Sequence, residues 1–285
     1  MTWARSGALA AALLIALACC SRPKKPPAVA SRVVSLSPST TEGMYAIGAQ
    51  SLLVGRSRYC DYPPEALALP QVGGYTDPNF EAILALDPDL VVGARGPAGP
   101  RVVEPLVARG IATYFPESDS FAQIDEMLLG LGARTAHASQ AQALVARLDA
   151  RAAAIAGAVA SKPRPRVLLV FGLAPIVAAG PKSFADEMLA RAGGDNVVRA
   201  GGAYPTLEME RVLALDPDVI LNAAIAEAHG AEAIARDAPG WSSVRAVKEG
   251  RVIALTDESV LRPGPRVADG LAVVAKALHP DAALP

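Results

Sequence analysis

Apolar residues along this chain follow two alternating rhythms. Short solid runs, Arg32-Val33-Val34-Ser35-Leu36, Leu52-Leu53-Val54, Leu90-Val91-Val92, Arg166-Val167-Leu168-Leu169-Val170, Asn196-Val197-Val198 and Val219-Ile220-Leu221, have the length and β-branched content of buried strands. Between them, apolar residues recur at near-helical spacing, as at Phe80, Ile83, Leu84 and Leu86, and around Thr41 to Ile47 and Phe184 to Ala192. Strands that alternate with helices imply parallel sheets covered by helices on both faces.

One phrase is written twice. FEAILALDPDLVV, Phe80 to Val92, and MERVLALDPDVIL, Met209 to Leu221, are identical at seven of thirteen positions and lie 129 residues apart. Each reads as an amphipathic helix stopped by proline, Pro88 or Pro217, and followed by a short strand. Asp77-Pro78-Asn79 precedes the first helix, and Thr206 is the expected cap of the second. Both halves therefore read strand, helix, strand, helix, strand. Between them Ala136 to Ala160 has no proline, a single glycine and many alanines, which predicts one helix of roughly 25 residues, ~38 Å long. The expected fold class is α/β: two Rossmann-like lobes with parallel sheets, joined by one long connecting helix, with a ligand cleft between the lobes. The expected divisions are Met1 to Ala18 as leader, Cys19 to Ser31 as tether, Arg32 to Thr135 as the first lobe, Ala136 to Ala160 as connector and Ser161 to Pro285 as the second lobe.

The leader changes the picture of where the chain resides. Arg5 precedes an apolar run, Ala8 to Ala18, too short to span a bilayer, and the run ends in small residues followed by Cys19-Cys20, as in a secretory signal that closes on a lipidated cysteine. Cys19, after Ala18, is the expected lipidation site, with Cys20 as the alternative. Ser21 to Ser31 is rich in Pro, Lys and Ser and reads as a tether holding the body to a membrane, inner or outer, without crossing it. Cys60 is the only other cysteine, so no disulfide framework or CxxC metal or redox signature is present, and it is expected to be a buried, inert thiol.

Composition excludes other classes. A net charge of −1 with scattered basic residues gives no stripe for nucleic acid. There is no GxSxG, HExxH or P-loop, and Gly93 to Gly99 (GARGPAG) has the wrong spacing for a dinucleotide fingerprint. His137, His229 and His279 fall in unrelated segments, so neither catalysis nor a metal site is expected, and no cofactor.

In open α/β sheets ligands gather at the carboxyl ends of the strands, so the strand-to-helix loops form the cleft. The chain has only thirteen aromatic residues, and Tyr59, Tyr62, Tyr75, Phe171 and Tyr204 all fall in these loops. A large flat ligand is the natural occupant of such walls. The last loop, Asp257 to Arg266 (DESVLRPGPR), adds Asp257 as an acceptor for amide groups and Arg262 as a polar or anionic contact, while Arg266 is expected to pin the loop by a salt bridge.

SPSTTE, VGRSRYCDYPPEA, VGGYTDPNFEAILALDPDLVV and LRPGPR resemble the cluster III periplasmic substrate-binding proteins of ABC importers, particularly the vitamin B12 (cobalamin) binding members. The likeness runs from Arg32 almost to the C-terminus. It implies two lobes on a rigid helix with small opening motions. It also implies a corrinoid as transported ligand, contacted by aromatics at Tyr59, Tyr75, Phe171 and Tyr204, and delivery to a dimeric ABC permease with its ATPase subunits. Tyr75 and Tyr204 stand where the corrinoid binders often carry Trp, and Ala94 where they carry another aromatic. Glu81 and Glu210, equivalent in the two copies of the repeat, match the surface glutamates that pair with permease arginines in that family. Glutamate in a first helical turn is also favoured by the helix dipole alone. The expected protein is a monomeric, lipid-anchored periplasmic binder. Two other ligands suit the same architecture: a ferric siderophore, held by Arg56, Arg58, Arg95 and Arg262, or haem, ligated by Tyr59, Tyr62 or Tyr75.

Overall fold

The computed structural model describes residues 29–95, 99–224 and 233–285. The expected leader, Cys19 and Cys20, most of the tether, and His229 lie outside the described residues. The last tether residues are joined to the body: Ala30 is buried and its N–H donates to the Arg134 carbonyl (2.7 Å), and the Ser31 hydroxyl donates to Asp89 (2.8 Å).

The first lobe holds β1 (Val33–Ser35), α1 (Pro38–Ala46), β2 (Leu53–Arg56), α2 (Phe80–Ala85), β3 (Leu90–Val92), α3 (Gly99–Val107) and β4 (Ala112–Tyr114), followed by α4 (Phe121–Arg134). Its four strands lie in the order β2-β1-β3-β4, all parallel. The connector is α5 (Ala138–Val159), 22 residues and ~33 Å long. The second lobe holds β5 (Arg166–Leu173), β6 (Ile176–Ala178), α6 (Phe184–Arg191), β7 (Asp195–Asn196), β8 (Thr206–Leu207), α7 (Met209–Leu215), β9 (Val219–Asn222), β10 (Val252–Ala254) and α8 (Val267–Leu278).

The second sheet is mixed, not parallel as expected. β10, β9 and β7 run parallel to their neighbours, but β5 and β6 form an antiparallel pair and β8 continues that edge antiparallel. The apolar run of β5 extends through Leu173, and Ala174-Pro175 turns the chain straight back into Ile176; two residues suffice for an antiparallel return, whereas a parallel return needs a crossover. The same edge removes Thr206 from its expected role: it lies in β8, and α7 is capped at Glu208, whose side chain makes no capping bond.

The repeated phrase folds as a repeated motif. Asp87 and Asp216, 129 residues apart, both adopt left-handed backbone (φ 43° and 41°) between helix and strand. Arg32 donates to the Leu86 carbonyl at 2.6 Å, and Arg166 donates to the equivalent Leu215 carbonyl at 2.6 Å. Asp89 accepts the Arg32 N–H (3.1 Å) as Asp218 accepts the Arg166 N–H (2.8 Å). In each lobe one arginine thus clamps the end of the helix to the start of the central strand.

The lobes share their core. A single apolar cluster runs from Met44 and Leu131 through Ile155 of α5 to Leu169, Leu189 and Leu271. α4 and α5 meet closely at Gly132, where a Cβ would stand 2.6 Å from that of Ala141. Such continuity opposes large relative motion of the lobes.

At the same helix pair Asp125 of α4 faces Asp149 of α5. Burial, with the neighbouring Asp149 carboxylate, raises the Asp125 pKa to about 6. Because the folded value lies above that of the unfolded chain, the folded state holds the extra proton between pH ~4 and 6, and the protein loses stability as pH rises through that window. Asp125→Asn is therefore expected to stabilise the protein at pH 7.5, by about 1 kcal/mol after allowance for solvent screening of a partly exposed pair, and to have no stabilising effect at pH 4. Thermal unfolding at the two pH values checks this.

Candidate functional site

The carboxyl ends of β1, β2 and β3 lead into the loops that face the second lobe. After β1 the chain enters α1 through Ser37, whose hydroxyl accepts the Thr40 N–H and also the Ala94 N–H (3.1 Å) from the loop after β3. Ser35, Thr40 and Thr41 form a buried hydroxyl cluster beneath it. These bonds fix the two loops that flank the point where the strand order reverses, the usual ligand crevice of an open sheet. Glu42 follows on α1.

The loop after β2 carries Tyr59 and Tyr62, both exposed. The Arg58 guanidinium lies 5.3 Å from the Tyr59 ring centre and pairs with Asp77. Cys60, between the tyrosines, is fully buried against the Ser57 hydroxyl (3.2 Å), and burial pushes its thiol pKa up, as an inert thiol requires. Tyr75 is half-buried in the turn before α2, and burial raises its phenol.

From the second lobe, Phe171 stands on β5, not in a loop as expected, and packs edge-on against Tyr204 with ring centres 5.6 Å apart. Tyr204 is 48% exposed, a high value for a ring in an aromatic pair, so one face is left open. Its phenol is pushed up by burial and by the Asp119 carboxylate, which acts on Tyr75 in the same way. One carboxylate of the first lobe therefore lies within electrostatic reach of a tyrosine from each lobe. Asp257 is exposed and accepts the Ser259 N–H (2.9 Å); burial works against its charge, but the bonds from Ser259 hold its carboxyl below the usual range.

The arginines of the last loop are spoken for. Arg262 pairs with Asp61 (2.7 Å), Glu42 (3.4 Å) and Glu258 (2.7 Å). Arg266 forks onto Glu42 through two 2.8 Å bonds and lies 4.0 Å above the Tyr62 ring. Arg266 does pin the loop, but to the opposite lobe. Glu42 is only 2% exposed and is gripped by two arginines from across the cleft. A second seam joins the lobes where Phe121 stacks on Phe184 (5.9 Å), donates its N–H to Glu187 (3.0 Å) and lies under Arg191 (4.4 Å). Two seams of side chains thus hold the lobes together, one ionic and one aromatic.

Arg56 is buried and donates to the Ser57 (3.0 Å) and Leu67 carbonyls, and Arg95 pairs with Glu117 (2.8 Å). Glu81 and Glu210 lie exposed in the first turns of α2 and α7, without a salt bridge among the described residues. A separate cavity of about 360 Å³ lies in the first lobe beside Arg95, Val103, Thr113 and Phe115 and is lined by none of Tyr59, Tyr62, Tyr75, Phe171 and Tyr204. Sequence reasoning missed Glu42, Asp61 and Asp119. Two of the acidic partners of Arg262, Glu42 and Asp61, lie 220 and 201 residues away in sequence, and nothing local signals those pairs.

Comparison with known proteins agrees with this architecture. A family model described as periplasmic binding protein matches residues 33–259. The chain is 37% identical over 193 residues to the vitamin B12-binding protein of Salmonella typhimurium, covering 67% of this chain and 72% of that one. Among solved structures it is similar to the periplasmic vitamin B12 binding protein BtuF of Vibrio cholerae (30% identity, TM-score 0.76, 88% of this chain and 98% of that one). It is also similar to a periplasmic heme-binding protein of Roseiflexus (27% identity, TM-score 0.76, with the same coverage). Fold, repeat and interlobe cleft agree with the match over most of the sequence: the chain belongs to the periplasmic binding protein family.

Proposed function

We propose that this protein captures cobalamin or a related corrinoid in the interlobe cleft and delivers it to an ABC permease dimer with its ATPase subunits. The protein works as a binder and not as an enzyme, and cobalamin is cargo and not cofactor. The observation that carries the choice of ligand is the state of the arginines. Among the described residues, Arg56, Arg58, Arg95 and Arg262, the four that an anionic ferric siderophore would use, are all engaged by protein acceptors. A ligand of that kind would have to break those bonds and strand the carboxylates that hold Arg58, Arg95 and Arg262 and the carbonyls that hold Arg56. A corrinoid, flat at its ring and edged with neutral amides, asks only for aromatic faces and hydrogen-bond acceptors. The first are Tyr59, Tyr75, Phe171 and Tyr204, and Asp257 is an acceptor; Arg262 serves the ligand as a fixed wall, held by Asp61. Similarity to both B12-binding and heme-binding structures means that the fold does not choose between these ligands, so the choice rests on the cleft chemistry and on the B12-binding relative.

The remaining assignments form part of the same reading. Residues 1–18 direct export, Cys19 (or Cys20) carries lipid, and the segment to Ser31 tethers a monomeric body in the periplasm. Residues 32–135, 136–160 and 161–285 are the two lobes and their connector, and Glu81 and Glu210 meet the permease.

Calorimetric titration of the purified chain with cyanocobalamin, haemin and a ferric hydroxamate tests the ligand. Cobalamin is expected to bind one to one at roughly nanomolar to low-micromolar Kd, about −8 to −12 kcal/mol. Tyr204→Ala, which also removes the partner of Phe171, is expected to weaken binding by roughly 10- to 100-fold, because a half-open aromatic in a desolvated cleft carries a large share of affinity. Heat with haemin or the hydroxamate and none with cobalamin would remove the corrinoid assignment.

A further inference from the structure

The loop from Ser57 to Tyr62 is anchored from two sides. Its first half is fixed within the first lobe: the Arg58 N–H donates to the Gly73 carbonyl (2.8 Å), the Cys60 N–H donates to the Ser57 carbonyl (3.2 Å), and the buried Cys60 thiol lies against the Ser57 hydroxyl. Its second half is held from the opposite lobe. Arg262 donates to the Asp61 carboxylate at 2.7 Å, and the Arg266 guanidinium lies 4.0 Å from the centre of the Tyr62 ring. Both arginines are themselves held in place. Arg266 directly precedes α8, whose Val267 and Leu271 are buried in the core the lobes share, and its two 2.8 Å bonds to Glu42 set the plane of the guanidinium. Arg262 is steadied by Glu258 of its own loop (2.7 Å). One planar group thus pairs with Glu42 through its edge and covers Tyr62 with its face.

The two tyrosines of this loop therefore differ. Tyr62 has a face taken by a guanidinium of the other lobe and serves as a strut; Tyr59 is 51% exposed, with Arg58 of its own loop farther off at 5.3 Å, and is left for a ligand. We propose that Arg266 is a positioning residue: acting from the second lobe through Tyr62, with Arg262 on Asp61 beside it, it holds the Tyr59 loop of the first lobe in the shape that meets the ligand. The inference rests on the corrinoid reading above and adds that the aromatic surface of one lobe is completed by contacts from the other. A loop ordered in advance does not have to be ordered by the ligand, and affinity rises accordingly.

The test is calorimetric titration of the full chain with cyanocobalamin. Tyr62→Leu removes the ring under the guanidinium and leaves the Glu42 pair intact; it is expected to weaken binding roughly threefold to tenfold, whereas Tyr62→Phe, which keeps a ring face, should stay within about twofold of wild type. Arg266→Lys keeps a charge for Glu42 but not a planar group that can fork onto it and cover the ring at once, so it should weaken binding by a factor similar to that of Tyr62→Leu. In a Tyr59→Ala background neither change should weaken binding by more than about 1.5-fold further, because nothing is left to position, while in a Tyr204→Ala background the full factor should persist. A direct contact between Tyr62 and the ligand, or a general loss of stability, would instead persist in both backgrounds. Tyr62 is 43% exposed, so its variants should fold and keep the test decisive even if Arg266→Lys does not. Undiminished losses in the Tyr59→Ala background, a Tyr62→Leu protein that binds like wild type, or a Tyr62→Phe protein as weak as Tyr62→Leu would overturn the positioning role while leaving the ligand assignment intact. Failure of the wild type to bind cyanocobalamin would overturn the corrinoid reading itself, so the two failures are distinguishable.

Discussion

Glu42→Ala is expected to cost about 3–5 kcal/mol of stability, the range found when one member of a buried ion pair is removed. The carboxylate is 2% exposed and receives two 2.8 Å bonds from Arg266 and a longer one from Arg262, whose side chains are 19% and 16% exposed. Arg266 would lose its carboxylate partner, and Arg262 would keep only Asp61 and Glu258. For a body of this size the loss corresponds to a fall in Tm on the order of 10 °C. Asp61→Ala is the internal comparison: its side chain is 49% exposed, its pairing with Arg262 is at the surface, and it should cost less than about 1 kcal/mol. Thermal unfolding of both variants decides the matter. A Glu42→Ala protein that melts within a degree or two of wild type would mean that the clamp across the cleft contributes nothing.

The clamp also shows where legibility in the sequence ends. Strands and helices announced themselves by period, and the 129-residue repeat disclosed the two lobes because each copy must satisfy the same local physics. Asp87 and Asp216 turn the chain identically, and Arg32 and Arg166 cap the two motifs with the same bond. The long connector was readable from an alanine-rich stretch without proline. The antiparallel edge of the second sheet was not, because an apolar run ended by Ala174-Pro175 looks the same whether the chain leaves the sheet or folds back on it. Aromatic scarcity located Tyr59, Tyr62 and Tyr204 in exposed loops, and missed only that Phe171 reaches Tyr204 from a strand. Charges were the least legible part. Arg262 looked like a free ligand contact until Asp61 and Glu42, from the other lobe, were seen to hold it, and Asp119 carries no motif at all. Ion pairs depend on which loops the fold brings together, and that is information no local pattern contains.

Replacing both Glu81 and Glu210 with lysine is expected to abolish uptake while leaving cobalamin affinity within about twofold of wild type. The two residues are second in α2 and α7, exposed, and free of salt bridges among the described residues. Their helices are short, six and seven residues, and would fray if left to themselves. What holds them is the repeated clamp: Arg32 on the Leu86 carbonyl and Arg166 on the Leu215 carbonyl fix the far ends of the two helices to the central strands of the two sheets. Because both lobes also share one core through α5, the spacing between the two glutamates is set by rigid parts. A fixed pair of like charges suits a dimeric partner that offers one arginine from each half, and losing one member of a charge-assisted interfacial pair typically costs 2–5 kcal/mol, ~30- to 5,000-fold in affinity. Reversing both charges adds repulsion at two points. Cobalamin-dependent stimulation of the reconstituted permease's ATPase activity, measured beside calorimetric binding, separates docking from capture. If the double variant stimulated the permease as well as wild type, the glutamates would be no more than favourable first-turn residues, placed there by the helix dipole. If each single variant lost about half of the logarithmic effect of the pair, the two lobes would be engaging their permease halves independently, as additive distant sites do.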